Sequence, residues 1–554
     1  MEKLKTSKAG IYITLVGICL FALCGCTGQL SIEDKAIAVH QLDVPAIKDM
    51  ANPVDKGKEI AATLDQLKQD SAYNFPDILA VSDPYAFNTT GLYVYFNTKS
   101  PVKVSETISV PDSEIDDFER ALQGKGGYRT EHEYLLTGLV PGKNNTITLT
   151  ITEKSGKTKA VRFDYAASDI KSTTYKGLKV QKGNSEEKPI DGLFMLPTGV
   201  EEGAGEYSLL IDDDGVIRGE LQSNFVNVKF KDGCLYTTVD DENGIAKINR
   251  LGQTEHLYDF GNYAIHHDFT MTDDSLYALT TDKEVLWKEN RVYNSVIKID
   301  LRDDTVTELV DFKDLLPDLY EKATGIVNHP VLNNSGRLDV IHPNSIDYVD
   351  GSLIISSRET STIMKIDVSG KTPKIEYLLS EPSVWEDIGN YSSYLYKKEG
   401  NFKPHAGQHT VYVARDKKLP ATSYYLYMFD NNSAIMESRR NFSWQGFDDV
   451  VQVPPVINKD TTLPKGTSSY YYKYLVDEDA KTYRLEKKIA LPFSFFQGSV
   501  MESGGHIIYG SSFRGAFGEM DTDGNVINGF MLKENSHPYR AGKFDFNGYW
   551  FVEK

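Results

Sequence analysis

Cysteine is scarce in this chain, four residues in 554. None of the four makes a CxxC pair of the kind that holds structural zinc, which excludes that class of metal domain. Positive charge is also short. Lysine and arginine number 60 against 79 aspartates and glutamates, a net charge of −19. A surface this acidic excludes nucleic acid as a partner and has no attraction for anionic lipid. Long apolar runs are missing too. The one candidate, "IYITLVGICLFAL" at residues 11–23, is too short to span a bilayer comfortably. Alanine-rich helical stretches are few, whereas 33 tyrosines and an aromatic content of 11% tilt the chain toward strands.

The apolar run follows Lys3, Lys5 and Lys8 and ends in Leu23-Cys24-Gly25-Cys26. A basic head and a short apolar middle make a secretion signal, and the last four residues resemble a bacterial lipobox. The expectation is a signal peptide over residues 1–25, cleavage before Cys26 and a lipid on the Cys26 thiol. A plain signal peptide or a short anchor is the simpler alternative. The protein would then be extracytoplasmic, lipid-anchored to a bacterial membrane on its cell-surface or periplasmic side. Cleavage removes Glu2 and three lysines, which moves the charge from −19 to −21, so the lipid must be the anchor. Cys26 and Cys234 would remain, and acylation of Cys26 leaves no disulfide possible.

Residues 26–72 are polar and helix-leaning, as in "DKGKEIAATLDQLKQDS", and read as a tether with a docked helix. From residue 73 to 166 the pattern alternates and breaks at Gly, Pro and Asn, which suggests a small β-sandwich. Residues 190–554 carry a recurring unit of strand, acidic or glycine turn, and strand: "NVKFKDGCLYTTV", "DFTMTDDSLYALT", "SIDYVDGSLIISS" and "SVMESGGHIIYGSS". Leu235, Leu276, Leu353 and Ile507 open the second strand of each, at intervals of 41, 77 and 154. These read as one, two and four steps of a roughly 40-residue repeat, the period of a propeller blade. The fold class expected is all-β, a six-bladed β-propeller preceded by a small N-terminal β-sandwich.

Unusual polar residues collect at one end of these units. In "DVIHPNSIDYVDGSLIISSRETS" a two-residue turn pairs Val349 with Ser352 and sets Arg358 across from Pro343, beside His342 and Asn344. Strict register points Arg358 to the opposite face from both, and a one-residue bulge would reverse that. Aligning Leu276 with Leu353 puts His267 in the place of Asn344. "KPHAGQHTVYVARD" adds His405 and His409 at the start of another strand. Equivalent blade ends converge on one channel mouth, so these side chains are candidates for a shared site. A histidine in a sheet is more often structural than catalytic. Histidines with Asp268 suit a metal, but an arginine among them repels a cation and suits a planar oxyanion.

The ordered set "HHD" at 266–268, "HPNSI" at 342–346, "SSR" at 356–358, "QHT" at 408–410 and "YLYMFDNN" at 425–432 resembles the bacterial arylsulfate sulfotransferases. So do "DPYAFNTTGLYVYFNTKSPVKV" and "TGLVPGKNNTITL" in the N-terminal region and "YRAGKFDF" near the end, so the resemblance covers nearly all of the mature chain. It implies a PAPS-independent enzyme that moves a sulfuryl group from a phenolic sulfate donor to a phenolic acceptor, with no cofactor and no metal. It also implies that His409 is the nucleophile, forming a sulfohistidine. His342, His267 and Arg358 would line the sulfuryl group, with Asn344 and His266 on the substrate side. A homodimer is a further implication. Two departures stand out. Some members have a disulfide near the nucleophile, which this chain cannot form, and "PFSFFQGSVMES" lacks the hydroxyl-bearing run expected there. The rival readings are a lipid-anchored propeller that only binds, and a quinone-dependent dehydrogenase propeller, whose tryptophan-docking repeats do not fit four tryptophans.

Overall fold

The computed structural model describes residues 31–552 apart from 51, 125–126, 198–206, 239–243, 324, 328–335, 440–441, 445–449, 453–462, 464 and 534–537. The signal segment 1–25 and Cys26 lie outside the described residues.

The N-terminal domain is built on one 18-residue strand, Leu92–Ser109. Its first half pairs with Leu79–Ser82 and Arg129–Leu136, and its second with Phe118–Ala121 and Asn144–Glu153. Alternation along this strand buries Val102, Val104 and Ile108 and leaves Lys103 outside, as a half-buried strand requires. Glu106 breaks the rule. It sits on the buried side, and among the described residues neither carboxylate oxygen has a hydrogen-bond partner. The helix Pro53–Asp70 starts at an Asn52 cap with Pro53 in its first turn, and buries Ile60 and Leu64 against Tyr85 and Tyr93. Phe546, Tyr549, Trp550 and Phe551 near the C-terminus join the same domain core, so the last strand's tail packs onto the N-terminal domain.

Among the described residues, six small sheets stand as the blades of the propeller. Inner hairpins such as Pro343–Val349 with Ser352–Ser357 are buried nearly throughout, because neighbouring blades cover both faces. The ring closes twice. Gly542–Phe544, "KF" of the motif near the end, is the inner strand of blade one, paired with Leu193–Met195. Leu178–Lys182 adds an outer strand to blade six beside Val526–Leu532. Across this seam Lys543 binds Glu519 of blade six at 2.7 Å and Asp213 of blade one at 2.6 Å. His506 ties Glu519 to Glu187 of the linker, at 2.5 and 2.9 Å.

The spacing argument needs correction. The four repeated hairpins belong to blades two, three, four and six. The interval of 77 is therefore one blade step, not two, and that of 154 is two, not four. Long insertions cause the error. Helix Lys283–Glu289 is inserted between the second and third strands of blade three, and helices Phe312–Leu315 and Pro317–Lys322 with the loop after them lie between its outermost strand and the start of blade four.

Candidate active site

Blades three, four and five each bulge at the same end of the inner strand. Register shifts between Ile265 and Phe269, between Pro343 and Ser345, and between His409 and Tyr412. Bulges turn side chains out of the pleat, and here they carry His266, His267, Asn344 and Thr410. Non-glycine residues with positive φ cluster at the same place: His267 at 58°, His342 at 45°, Thr410 at 51° and Gln497 at 58°. Each costs about 1 kcal/mol or more, so surrounding bonds must hold them.

The hairpin register follows from its bulge. Ser357, not Arg358, faces Pro343, and the Arg358 backbone N–H donates to His342 O at 3.1 Å. Arg358 and His342 are therefore brought together by the extra residue, Asn344. Asn344 donates to Gln408 O at 2.7 Å and leaves its own Oδ1 buried without a partner. Arg358 is almost wholly buried. Its Nη2 reaches Glu359 at 3.3 Å and Asp339 at 3.8 Å, while Nε has no partner among the described residues. Burial raises Glu359 against the pull of Arg358, so that carboxylate offsets the guanidinium only in part.

Asp339 sits three residues before His342, binds its Nδ1 closely and accepts its backbone N–H at 3.0 Å. The carboxylate makes Nδ1 the protonated nitrogen and frees Nε2. Burial, with the Arg358 charge, holds the His342 imidazole well below its usual range. His267 packs edge-on to His342 with ring centroids 4.7 Å apart and meets Tyr293 and Tyr539 at 5.0 and 5.7 Å. His266 backs it: the two Nδ1 atoms are 2.7 Å apart, and His266 Nε2 is unpartnered. Burial pushes His266 down to about 3.

His409 begins the inner strand of blade five and is 2% exposed. Its Nδ1 lies 2.7 Å from Asn431 Oδ1 and 3.0 Å from Gly407 O, and its Nε2 accepts the Gln497 backbone N–H at 3.1 Å. Burial pushes its imidazole down to about 3, with Asn431 opposing and Arg358 assisting, so the ring is neutral at pH 7. The loop before it is held without a disulfide. Ala406 N–H donates to Asp430 at 2.7 Å and Gly407 N–H to Ser361 Oγ at 3.0 Å. Cys234 is free and buried in blade two.

His405 does not join the cluster. It is fully buried against Tyr474 of blade five, 3.2 Å from its hydroxyl. Asp268 is no metal ligand in waiting either. Its carboxylate accepts from Asn227, Phe269 N, Ile346 N, Tyr412 and Arg540 at 2.7–3.3 Å, and so ties successive blades to the C-terminal segment.

Sequence reading did not single out Asp339, Asn431, Gln497, Tyr539 or Arg540. Gln497 lies in "PFSFFQGSVMES", where no residue was assigned, and only the packing of blade six against blade five brings it to His409. Asp339 was within reach: an acidic residue three before a histidine, inside the quoted hairpin. The Tyr539 hydroxyl is buried and unpartnered, and burial pushes it up to about 12. Among the described residues, the unpartnered buried atoms at this mouth belong to His266, Asn344, Arg358, Tyr539 and Arg540, while others, such as those of Glu106 and Asn528, lie elsewhere. In native structures such groups are met by ordered water or by a polar ligand.

Residues 173–539 match the family model described as Arylsulfotransferase (ASST), and residues 79–168 match the Arylsulfotransferase Ig-like domain. No curated protein matches the chain. Among solved structures, a functionally unknown protein from Desulfotomaculum acetoxidans is 10% identical, with a TM-score of 0.34 over 64% of this chain and 98% of that one. Apo AztD from Citrobacter koseri is 10% identical, with a TM-score of 0.26 over 80% of this chain and 98% of the other. Likenesses that slight carry no weight for fold or activity.

Proposed function

This chain belongs to the arylsulfotransferase family, and from that premise we propose that it works in two in-line steps through a sulfohistidine at His409, without PAPS. It is a sulfotransferase, and an aryl sulfate donor with a phenol acceptor fits the family. The observation that carries the two-step reading is the state of His409: a buried, neutral imidazole with Nδ1 occupied by two acceptors and Nε2 bearing the lone pair.

In the first step the Gln497 N–H gives up its bond to His409 Nε2, which attacks sulfur; the bond from sulfur to the aryl oxygen breaks, and the phenolate leaves with its electron pair. Sulfuryl transfer, like phosphoryl transfer, passes through a loose state with charge on the peripheral oxygens. Arg358, with its free Nε, can hold two of them. His267 lines the sulfuryl group beside it, and Asn344 and His266 stand on the substrate side. In the second step an acceptor phenol attacks the same sulfur and gives its proton to His342 Nε2. His342 hands that proton to the next leaving phenolate, so protons balance over a cycle.

His409→Ala is expected to abolish both the burst of nitrophenolate from p-nitrophenyl sulfate and transfer to phenol. Turnover retained by a correctly folded variant would remove His409 from the role. A signal peptide over residues 1–25, a lipid on Cys26 and an extracytoplasmic seat belong to the same proposal. Mass measurement of the mature N-terminus in wild type and Cys26→Ser checks them: the acylated mass must vanish in the variant.

A further inference from the structure

We propose that Asn431 is a positioning residue that keeps His409 in its Nδ1–H tautomer and, being neutral, leaves the sulfated ring protonated and ready to release its sulfuryl group. The inference rests on His409 as the nucleophile.

Asn431 is completely buried. Its Nδ2 donates to Ser494 O at 3.1 Å and to Gln497 O at 2.7 Å. Both are carbonyls, which only accept, so the amide cannot be flipped and Oδ1 must face His409. The other neighbour of Nδ1 is Gly407 O, also only an acceptor. The proton of a neutral His409 therefore sits on Nδ1, and the Gln497 N–H at Nε2 agrees with a lone pair there. Gly407 is itself locked: φ is +63°, and a Cβ would lie 2.1 Å from Ser433 O.

Attack by Nε2 converts the neutral ring into a sulfoimidazolium. The new bond is from Nε2 to sulfur, and the proton stays on Nδ1 between two neutral oxygens too weakly basic to take it. The second step then breaks that bond and returns a neutral imidazole, a good leaving group. A carboxylate in place of the amide would remove the Nδ1 proton, and the ring would have to depart as imidazolate. The site contains that contrast already. His342, which exchanges protons, is paired with the carboxylate of Asp339, whereas His409, which exchanges sulfur, is paired with an amide.

The test uses full-length wild type, Asn431→Ala, Asn431→Asp and His409→Ala with p-nitrophenyl sulfate, following the nitrophenolate burst and phenol-dependent turnover separately. A ¹⁵N spectrum of histidine-labelled wild type accompanies it. The expected spectrum has a protonated Nδ1 and an unprotonated Nε2 assigned by loss in His409→Ala. Asn431→Ala should slow the burst about 10- to 100-fold. Asn431→Asp should keep a burst near one per chain yet slow phenol-dependent turnover by a similar factor, with recovery as pH falls. Equal slowing of both steps in Asn431→Asp, no slowing in either variant, or an Nε2–H tautomer in wild type would overturn the inference. The wild-type spectrum decides the matter if the variants misfold. A missing wild-type burst, or a burst that survives in His409→Ala, would instead sink the nucleophile reading.

Discussion

Asp339→Asn removes one charge from the least exposed part of the site and leaves its shape nearly intact. Asp339 is fully buried, binds His342 Nδ1, accepts the His342 backbone N–H at 3.0 Å and lies 3.8 Å from the Arg358 guanidinium. An amide there can still accept from one N–H, but it no longer favours the proton on Nδ1 or a charged ring. Loss of such an outer partner typically costs about 10- to 100-fold in activity, or about 1.4–2.7 kcal/mol of barrier. Arg358 keeps Glu359 at 3.3 Å, so the folded state should lose only about 1–3 kcal/mol. The assay is kcat/KM for p-nitrophenyl sulfate with phenol, in wild type, Asp339→Asn, His342→Ala and the double variant. Because Asp339 is argued to act through His342, the asparagine should change little once His342 is alanine. Two outcomes would refute this: a single variant within twofold of wild type at unchanged melting temperature, or penalties that simply add in the double variant.

Two pH predictions follow from groups outside the site. Burial lowers the affinity of His506 for its proton, but Glu519 and Glu187 outweigh it, so the folded-state pKa is raised. Its contribution to stability is full below the unfolded value of about 6.5 and fades as pH rises through the folded one. His506→Gln should flatten that part of the melting-temperature profile; an unchanged profile would clear the seam of any role. Glu106 is raised by burial, with Arg120 only partly opposing, and has no hydrogen-bond partner among the described residues. The folded chain therefore holds a proton that the unfolded chain releases above about pH 4.3, and stability falls by up to about 1.4 kcal/mol per pH unit beyond it. Glu106→Gln should melt higher than wild type at pH 8 and much the same at pH 4, in a comparison by calorimetry; a variant no more stable at pH 8 would contradict it.

Much of the fold was legible because it is local. An inner hairpin needs two apolar strands and an acidic or glycine turn, and "SIDYVDGSLIISS" contains all three within thirteen residues. Blade order was harder. Insertions change the spacing between hairpins without changing which blades touch, since a longer surface loop adds little closure entropy. The helix at Pro53–Asp70 was visible as a polar, helix-leaning stretch, whereas its Asn52 cap and its seat against Tyr85 and Tyr93 were not.

The site divides in the same way. Sequence alone determined the residue types and their blade ends: His267, His342, Asn344, Arg358 and His409 stand at one end of repeated units. It even narrowed the hairpin question to a single bulge. Only the tertiary structure decided that the bulge falls at Asn344, that His405 turns into blade five, and that Asp339, Asn431 and Gln497 hold the imidazoles. Closure of the ring by Gly542–Phe544 against Leu193–Met195 was likewise beyond local pattern. Turn chemistry acts over a few neighbours and is written in the chain. Which distant backbone donor or carboxylate meets a buried imidazole depends on how six sheets pack around one channel.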